Sequence, residues 1–315
     1  MIGIVLKSTG SWYLVRTKDG KVLQCRIRGV LKLQGSKATN PVAVGDKVEV
    51  EIEVEADAGE GKGVITDVKD RKNYIIRRST NLSKQTHVLA ANVDRMYILA
   101  TVTNPRTSPG FIDRLLVTAE AYQIPATLLI NKQDIYSEED LEAARDWVEL
   151  YGQIGYECIL FSALNSKDVD ALRKKMSGCT NLITGHSGTG KTTLINALEP
   201  GLGLKIGTIS EAHSKGTHTT TFAEMHELSS AGGGWLIDTP GIKEFGIVNV
   251  EKTELSHFFP EIFRKSKECK FNGCLHLHEP KCAVVEAVEN GEIALSRYET
   301  YLNILEGEEL KTKWQ

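Results

Sequence analysis

The chain has 315 residues, room for two or three compact units, and its 41% apolar and 25% charged residues are the composition of an ordinary folded protein. No apolar run approaches the ~20 residues of a bilayer-spanning helix, and Met1-Ile2-Gly3-Ile4-Val5-Leu6-Lys7 runs straight into strand-like sequence without a signal-peptide cleavage region; a cytoplasmic protein that avoids membranes is expected, and a monomer is taken as its state although no residue pattern argues for one. A formal net charge of −3 excludes a general attraction to nucleic acid and leaves any such binding to local patches.

The stretches Gly3–Lys7, Trp12–Arg16, Val22–Arg28, Asp46–Val54 and Gly63–Val68 read as short strands separated by turn signals such as Lys18-Asp19-Gly20 and Val44-Gly45-Asp46. Their number within residues 1–70 predicts a closed β-barrel of the OB type. Arg26, Arg28, Lys32 and Lys37 form a basic run without an acid, and a second run from Lys69 to Lys84 contains only Asp70 against its basic residues. With Trp12 and Tyr13 nearby, an RNA-contacting surface and a purely structural barrel both stay open.

From about Arg71 to residue 247 apolar runs alternate with amphipathic segments, which predicts an α/β domain with a parallel sheet covered by helices. The strands are Met96–Ala100, Ala126–Ile130, Glu157–Phe161, Asn181–Thr184 and Trp235–Ile237; the helices are Ile112–Ala121, Glu138–Leu150 and Asp168–Met176. Asn131-Lys132-Gln133-Asp134 directly follows the strand ending at Ile130. There the Asp134 carboxylate can accept two N–H bonds from a guanine edge, Asn131 can orient the loop, and the stem of Lys132 can lie along the base. Adenine offers no such donor pair, so the mismatch leaves polar groups unpaired. Ser162-Ala163 follows the next strand, either offering a backbone N–H to guanine O6 or capping the helix that begins near Lys167.

Gly185-His186-Ser187-Gly188-Thr189-Gly190-Lys191-Thr192 has phosphate-loop spacing and stands between an apolar strand and the helical Thr193-Leu194-Ile195-Asn196-Ala197-Leu198. Its glycines let successive N–H groups point at phosphates, and the helix N-terminus favours anions. Lys191 is placed on the β- and γ-phosphates and Thr192 on Mg²⁺. The Gly/Ser/Thr-rich stretch 203–221 supplies a loop in which Thr219 or Thr220 closes over Mg²⁺. Asp238-Thr239-Pro240-Gly241 follows Trp235–Ile237, with Asp238 holding Mg²⁺ through water and the Gly241 N–H sensing the γ-phosphate.

Together these motifs imply GTP hydrolysis, but the guanine-reading loops precede the phosphate loop, so the order is circularly permuted relative to a common Ras-like GTPase. Ile242 stands where Ras-type enzymes place a water-orienting glutamine, which predicts slow intrinsic turnover. His218 is the candidate replacement for that group, with a loop histidine contacting only RNA or solvent as the other reading. Two further functions stay open: an RNA-binding assembly factor with a mainly structural nucleotide, and a P-loop ATPase or kinase.

Residues 248–315 read as helical around Cys269-x4-Cys274-x-His276-x5-Cys282, three thiolates and an imidazole that suit one tetrahedral, structural Zn²⁺. His278 competes with His276, and free cysteines are the alternative. Arg264, Lys265, Lys267, Lys270 and Lys281 surround the cluster as a contact for RNA phosphates or a solvated basic face.

A leading barrel, permuted GTPase motifs and a cysteine-rich tail together resemble the RsgA (YjeQ) family of bacterial small-ribosomal-subunit biogenesis GTPases over essentially the whole chain. The most specific parts are the loop Gly185–Thr193, which places Thr193 among the nucleotide-binding residues, the stretch His218-Thr219-Thr220, and the ordered Cys269, Cys274, His276, Cys282. The resemblance implies an OB barrel and a zinc domain flanking the GTPase, favours His276 as the ligand, and implies binding to the small ribosomal subunit and its rRNA late in maturation, with hydrolysis stimulated by that particle. Thr217 departs from the Arg, Lys or Gln of many relatives, which puts any contact made there in doubt.

Overall fold

Alternating apolar residues close the first strands into a barrel. In the computed structural model, which describes residues 1–29, 40–53, 61–78, 86–205, 223–238 and 250–307, β1 (Ile2–Ser8), β2 (Tyr13–Thr17), β3 (Val22–Ile27), β4 (Lys47–Glu53) and β5 (Lys62–Val68) pair in the order β1-β2-β3-β5-β4, and β4 returns to β1. Only the β3–β5 pair of this ring is parallel. Val5, Tyr13, Val15, Leu23, Cys25, Val48, Val50 and Ile65 fill its interior, as the period-2 side-chain alternation of a strand requires.

The barrel's charges are more self-contained than the sequence suggests. Arg26 pairs with Glu53 and Arg28 with Glu51, both at 2.6 Å, while Lys69 pairs with Glu49 and Asp67 and Lys72 with Asp94. Arg71 holds the fully buried carboxylate of Asp46 at 2.7 Å. Tyr13 is a core residue whose hydroxyl donates to the Gly10 carbonyl, so of the two aromatics considered for RNA only Trp12 is exposed. Lys32, Lys37 and Lys84 lie outside the described residues.

Two strands that the sequence reading did not anticipate, β6 (Tyr74–Arg78) and β7 (Thr86–Ala91), pair antiparallel as a separate small sheet. Ile75 and Ala90 join the core of the following domain, and Asn40 bonds the backbone of Val88, so this sheet stitches the barrel to the α/β domain.

The sheet that contains the barrel strands continues beyond β1 in the order β12-β13-β11-β8-β9-β10, from β8 (Arg95–Ala100), β9 (Ala126–Ile130), β10 (Glu157–Leu160), β11 (Thr180–Thr184), β12 (Glu224–Glu227) and β13 (Trp235–Asp238). All neighbours are parallel except β12, also unanticipated, which pairs antiparallel with β13 and meets β1 at Lys7 and Glu224. Both faces are covered, which explains the continuous apolar runs. Ile98, Ala100, Leu128, Ile130 and Leu182 face α1 (Pro109–Ala121) and α2 (Glu138–Ile154). Tyr97, Leu99, Leu129 and Ile183 face α3 (Ser166–Met176) and α4 (Lys191–Leu198). Connections leave β8 and β11 in opposite directions, so the strand ends there form the crevice in which open α/β sheets bind ligands.

Helix α3 is capped by Asn165, whose side chain accepts the Lys167 N–H, and not by Ser162. The tail folds as α5 (Pro260–Ser266), α6 (Ala283–Glu289) and α7 (Leu295–Leu305) around Phe259, Ile262, Val284, Tyr301 and Leu305, with Val117 of α1 in the same core. No helix among the described residues is long and apolar enough to cross a membrane.

Candidate functional site

The loop Gly185–Gly190 joins β11 to α4 at the crevice. Gly185 and Gly190 sit at φ +146° and +97°; a Cβ would lie 2.4 Å from the Leu99 carbonyl oxygen at the first and 2.5 Å from Asn131 Nδ2 at the second, so only glycine fits. Lys191 Nζ donates to the Gly185 and His186 carbonyls, both at 2.7 Å, and closes the loop on itself. Burial lowers the Lys191 ammonium to about 8 against the opposing charge of Asp238. Asp238 ends β13, opposite Ile183 of β11, and its carboxyl is raised by burial while Lys191 and then His226 pull it back. Thr192 and Thr193 occupy the first turn of α4.

Because phosphate binding requires the ammonium form of Lys191, affinity has a worked sign with pH. Below pH 8 the ligand-free residue is charged and the GTP dissociation constant is flat; above it each pH unit weakens binding by up to about tenfold, since one proton must be taken up. Titrating a fluorescent GTP analogue between about pH 6.5 and pH 9.5 checks this.

His186 is wired to the segment after β8. The Thr101 N–H donates to Thr107 Oγ1 at 3.0 Å, Thr107 Oγ1 lies 2.8 Å from His186 Nε2, and His186 Nδ1 lies 2.9 Å from the Ser187 carbonyl. The Ser187 carbonyl can only accept, which puts a proton on Nδ1; burial lowers the His186 pKa and favours the neutral ring, while the bond to Ser187 opposes that shift. Neither Thr107 nor this contact was visible in the sequence; the one local signal was Ser108-Pro109, which starts α1 with Ser108 as N-cap.

Asn131 joins three loops. Its Nδ2–H donates to the Thr189 carbonyl at 2.8 Å and its Oδ1 accepts the Ala163 N–H at 2.9 Å. Lys132 is in the left-handed region at φ +72° and its Nζ donates to the Asn104 carbonyl at 2.5 Å. Asp134 is exposed, with Oδ1 accepting the Ser162 hydroxyl at 2.5 Å, and Gln133 reaches Asp168 through Nε2 at 2.8 Å. The Ser162 N–H donates to Asp168 as well. The expected guanine and phosphate residues therefore converge at one rim of the sheet. His218, Thr219, Thr220, Gly241 and Ile242 lie outside the described residues.

In the tail, the ligand atoms of Cys269, Cys274, His276 and Cys282 all lie within 4.8 Å of one another. The thiol pairs Cys269–Cys282 and Cys274–Cys282 are 3.9 and 3.7 Å apart, and His276 Nδ1 is 3.4 Å from Cys282 and 3.7 Å from Cys269. A tetrahedral ion with bonds to sulfur of about 2.3 Å needs sulfur–sulfur edges of roughly 3.8 Å, so the donor set fits a metal and is far too open for a disulfide. Burial pushes the Cys274 thiol up to about 12, a cost that a bound cation reverses. Of the two candidate histidines, His276 is buried with its ring among these thiols, whereas His278 is exposed. Glu279 accepts the N–H groups of Leu275 and Leu277, and Tyr298 and Tyr301 donate to the His276 and Leu275 carbonyls. Of the surrounding basic residues, Arg264 donates to the Ile154 carbonyl and Lys265 pairs with Glu268 and Glu292; Lys267 and Lys270 lie over Phe263 and Phe271.

Strand order, phosphate loop and guanine-reading loop define a P-loop GTPase whose motifs are circularly permuted, a GTP hydrolase carrying an OB-like barrel. The chain belongs to the RsgA GTPase family: the family's GTPase model matches residues 68–248 and its N-terminal domain model residues 2–61. It is 56% identical over 309 residues to the small ribosomal subunit biogenesis GTPase RsgA of Christiangramia forsetii, covering 98% of this chain and 97% of that protein. It is 51% identical, with the same coverage, to the protein of that name from Bacteroides fragilis. Among solved structures it is similar to YjeQ from Thermotoga maritima, with a TM-score of 0.76 and 34% identity over 97% of each chain. YloQ, described as a circularly permuted GTPase, gives a TM-score of 0.69 and 31% identity over 97% of this chain and 94% of its own.

Proposed function

We propose that this chain hydrolyses GTP to GDP and phosphate on the small ribosomal subunit, in contact with its rRNA, during late maturation of that particle, as a cytoplasmic monomer. The observation that carries the reading is Asn131. One buried amide ties the base-reading loop to the phosphate loop and to Ala163, so a guanine held at Asp134 and a triphosphate held at Lys191 share one geometry. The relatives named above for small-subunit biogenesis align over nearly their full length, which supports the same partner here.

In this reading residues 1–70 form the barrel module, 71–247 the GTPase and 248–315 the metal module. The amides of Gly185–Gly190 and the Lys191 ammonium hold the phosphates, Asp134 selects the base, and Thr192, Asp238 and Thr219 or Thr220 hold Mg²⁺. When bound, Mg²⁺ supplies charge neutralisation on the transferred phosphoryl group. His218 orients the attacking water, because aliphatic Ile242 has no hydrogen-bonding group for that task. The deciding experiment is the GTPase rate against added mature and immature small subunits. Stimulation is expected, and a rate unchanged by either particle overturns the reading.

The metal is proposed to be one Zn²⁺ held by Cys269, Cys274, His276 and Cys282. The protein supplies four ligands, so the role of the ion is structural, stapling the loop that carries Cys269, Cys274 and His276 to Cys282 at the start of α6. Cys282→Ala is expected to abolish stoichiometric zinc by elemental analysis and to lower the unfolding midpoint by roughly 5–10 °C, with GTP binding retained.

A further inference from the structure

Asp134 stands in a short 3₁₀ turn, Gln133–Ile135, at an exposed rim. A single turn has little rigidity of its own, so the direction of its carboxylate depends on what restrains it. Three bonds do so. The Gln133 N–H donates to the Phe161 carbonyl at 3.2 Å, the Ser162 hydroxyl donates to Asp134 Oδ1 at 2.5 Å, and Gln133 Nε2 donates to Asp168 Oδ2 at 2.8 Å. Ser162 is in turn held by its own N–H, which donates to the same Asp168 Oδ2 at 2.9 Å.

One oxygen of Asp168 thus receives both sides of the base-reading rim. Asp168 sits in the first turn of α3, where the helix dipole favours a carboxylate, and the next residue, Val169, is buried with Leu172 and Met176 in the core. The position of a packed helix is passed through Asp168 to Ser162 and Gln133, and through them to Asp134. We infer that Asp168 is a positioning residue for guanine selectivity, acting through the Ser162 hydroxyl and the Gln133 amide to aim Asp134; this rests on reading Asp134 as the carboxylate that receives the guanine edge.

The chemistry separates selectivity from mere folding. Asp168→Ala removes the acceptor, whereas Asp168→Asn keeps a carbonyl oxygen that can receive both N–H groups. The test measures dissociation constants for GTP and for inosine triphosphate, which lacks the 2-amino donor, together with kcat and the thermal midpoint, on the full chain. Asp168→Ala is expected to weaken GTP about tenfold and inosine triphosphate far less, collapsing the preference, with kcat at saturation unchanged and Asp168→Asn restoring the parental ratio. Equal weakening of both nucleotides, or a retained preference, overturns the inference. Asp134→Asn is the control: a shift toward xanthosine triphosphate, whose 2-oxo group accepts from the new amide, upholds the underlying reading even where Asp168 fails. No shift there removes the reading of Asp134 and the inference with it.

Discussion

Lys191→Met is expected to lower kcat for GTP by about 10²–10³-fold, the loss seen when one preorganised charge-stabilising donor is removed from a reacting site. The ammonium already spans the Gly185 and His186 carbonyls at 2.7 Å, so its position is set before substrate arrives and little reorganisation remains at the moment of reaction. Burial has lowered it to about 8, which means that the fold holds this charge at a cost, offset when a phosphate oxygen accepts the third ammonium donor beside the two carbonyls. Methionine keeps most of the stem's packing and removes the desolvated charge, so stability should change by less than about 1 kcal/mol. Single-turnover hydrolysis and calorimetry on the same preparation check both halves. A near-parental rate would take Lys191 out of the charge neutralisation assigned to it.

Arg297→Ala is expected to destabilise the protein by about 3–5 kcal/mol, the cost of leaving buried carboxylates without their cation. Arg297 and Asp113 are fully buried and Glu261 is 9% exposed. The guanidinium donates from Nη1 to Asp113 Oδ1 at 3.0 Å and from Nε to Glu261 Oε1 at 2.7 Å, and it lies over the Phe259 ring. Asp113 also accepts the Tyr151 and Thr300 hydroxyls at 2.9 and 3.0 Å. Burial opposes the charge on Arg297, but the Asp113 and Glu261 carboxylates outweigh it and hold the guanidinium above its ordinary range. Asp113 belongs to α1 and Tyr151 to α2, whereas Glu261 and Arg297 belong to the tail, so this cluster fastens the metal module to the GTPase. Denaturant unfolding of Arg297→Ala measures the loss. The combination Arg297→Met, Asp113→Asn, Glu261→Gln should recover more than half of it, because neutral groups are cheaper to bury. A loss below about 1 kcal/mol would mean that water reaches the cluster.

The helix carrying Asp113 begins at Pro109, directly after the segment whose Thr107 bonds His186 of the phosphate loop, and Phe111 of the same helix meets the His186 ring edge-on at 5.5 Å. A described path thus connects phosphate loop, α1 and metal module. Residues 239–249, the direct chain connection from Asp238 to the tail, are outside the described set.

The parts legible in the sequence were those with a local cause. Glycines at 185, 188 and 190 answer a backbone need that no neighbour can meet, and all three have positive φ. Strand alternation revealed the barrel, and apolar runs revealed a sheet covered on both faces, because those periods follow from side-chain direction alone. Asn131, Asp134 and the cysteine set could be named because motif spacing encodes them. Strand β12 was missed because it is four residues long and one of its edges meets distant β1; β6 and β7 pair with each other, but β6 lies inside the basic run Lys69–Lys84, which hid its strand character. Asp168 beside Gln133, Thr107 beside His186 and Arg297 beside Asp113 are separated by 35, 79 and 184 positions, and nothing local marks them. The sequence by itself therefore determined the candidate residues for a guanine, a triphosphate and a metal. Only the tertiary structure decided which histidine joins the thiols, which basic residues are already neutralised by acids, and which buried groups hold the loops in place, because burial and charge pairing are properties of the packed chain.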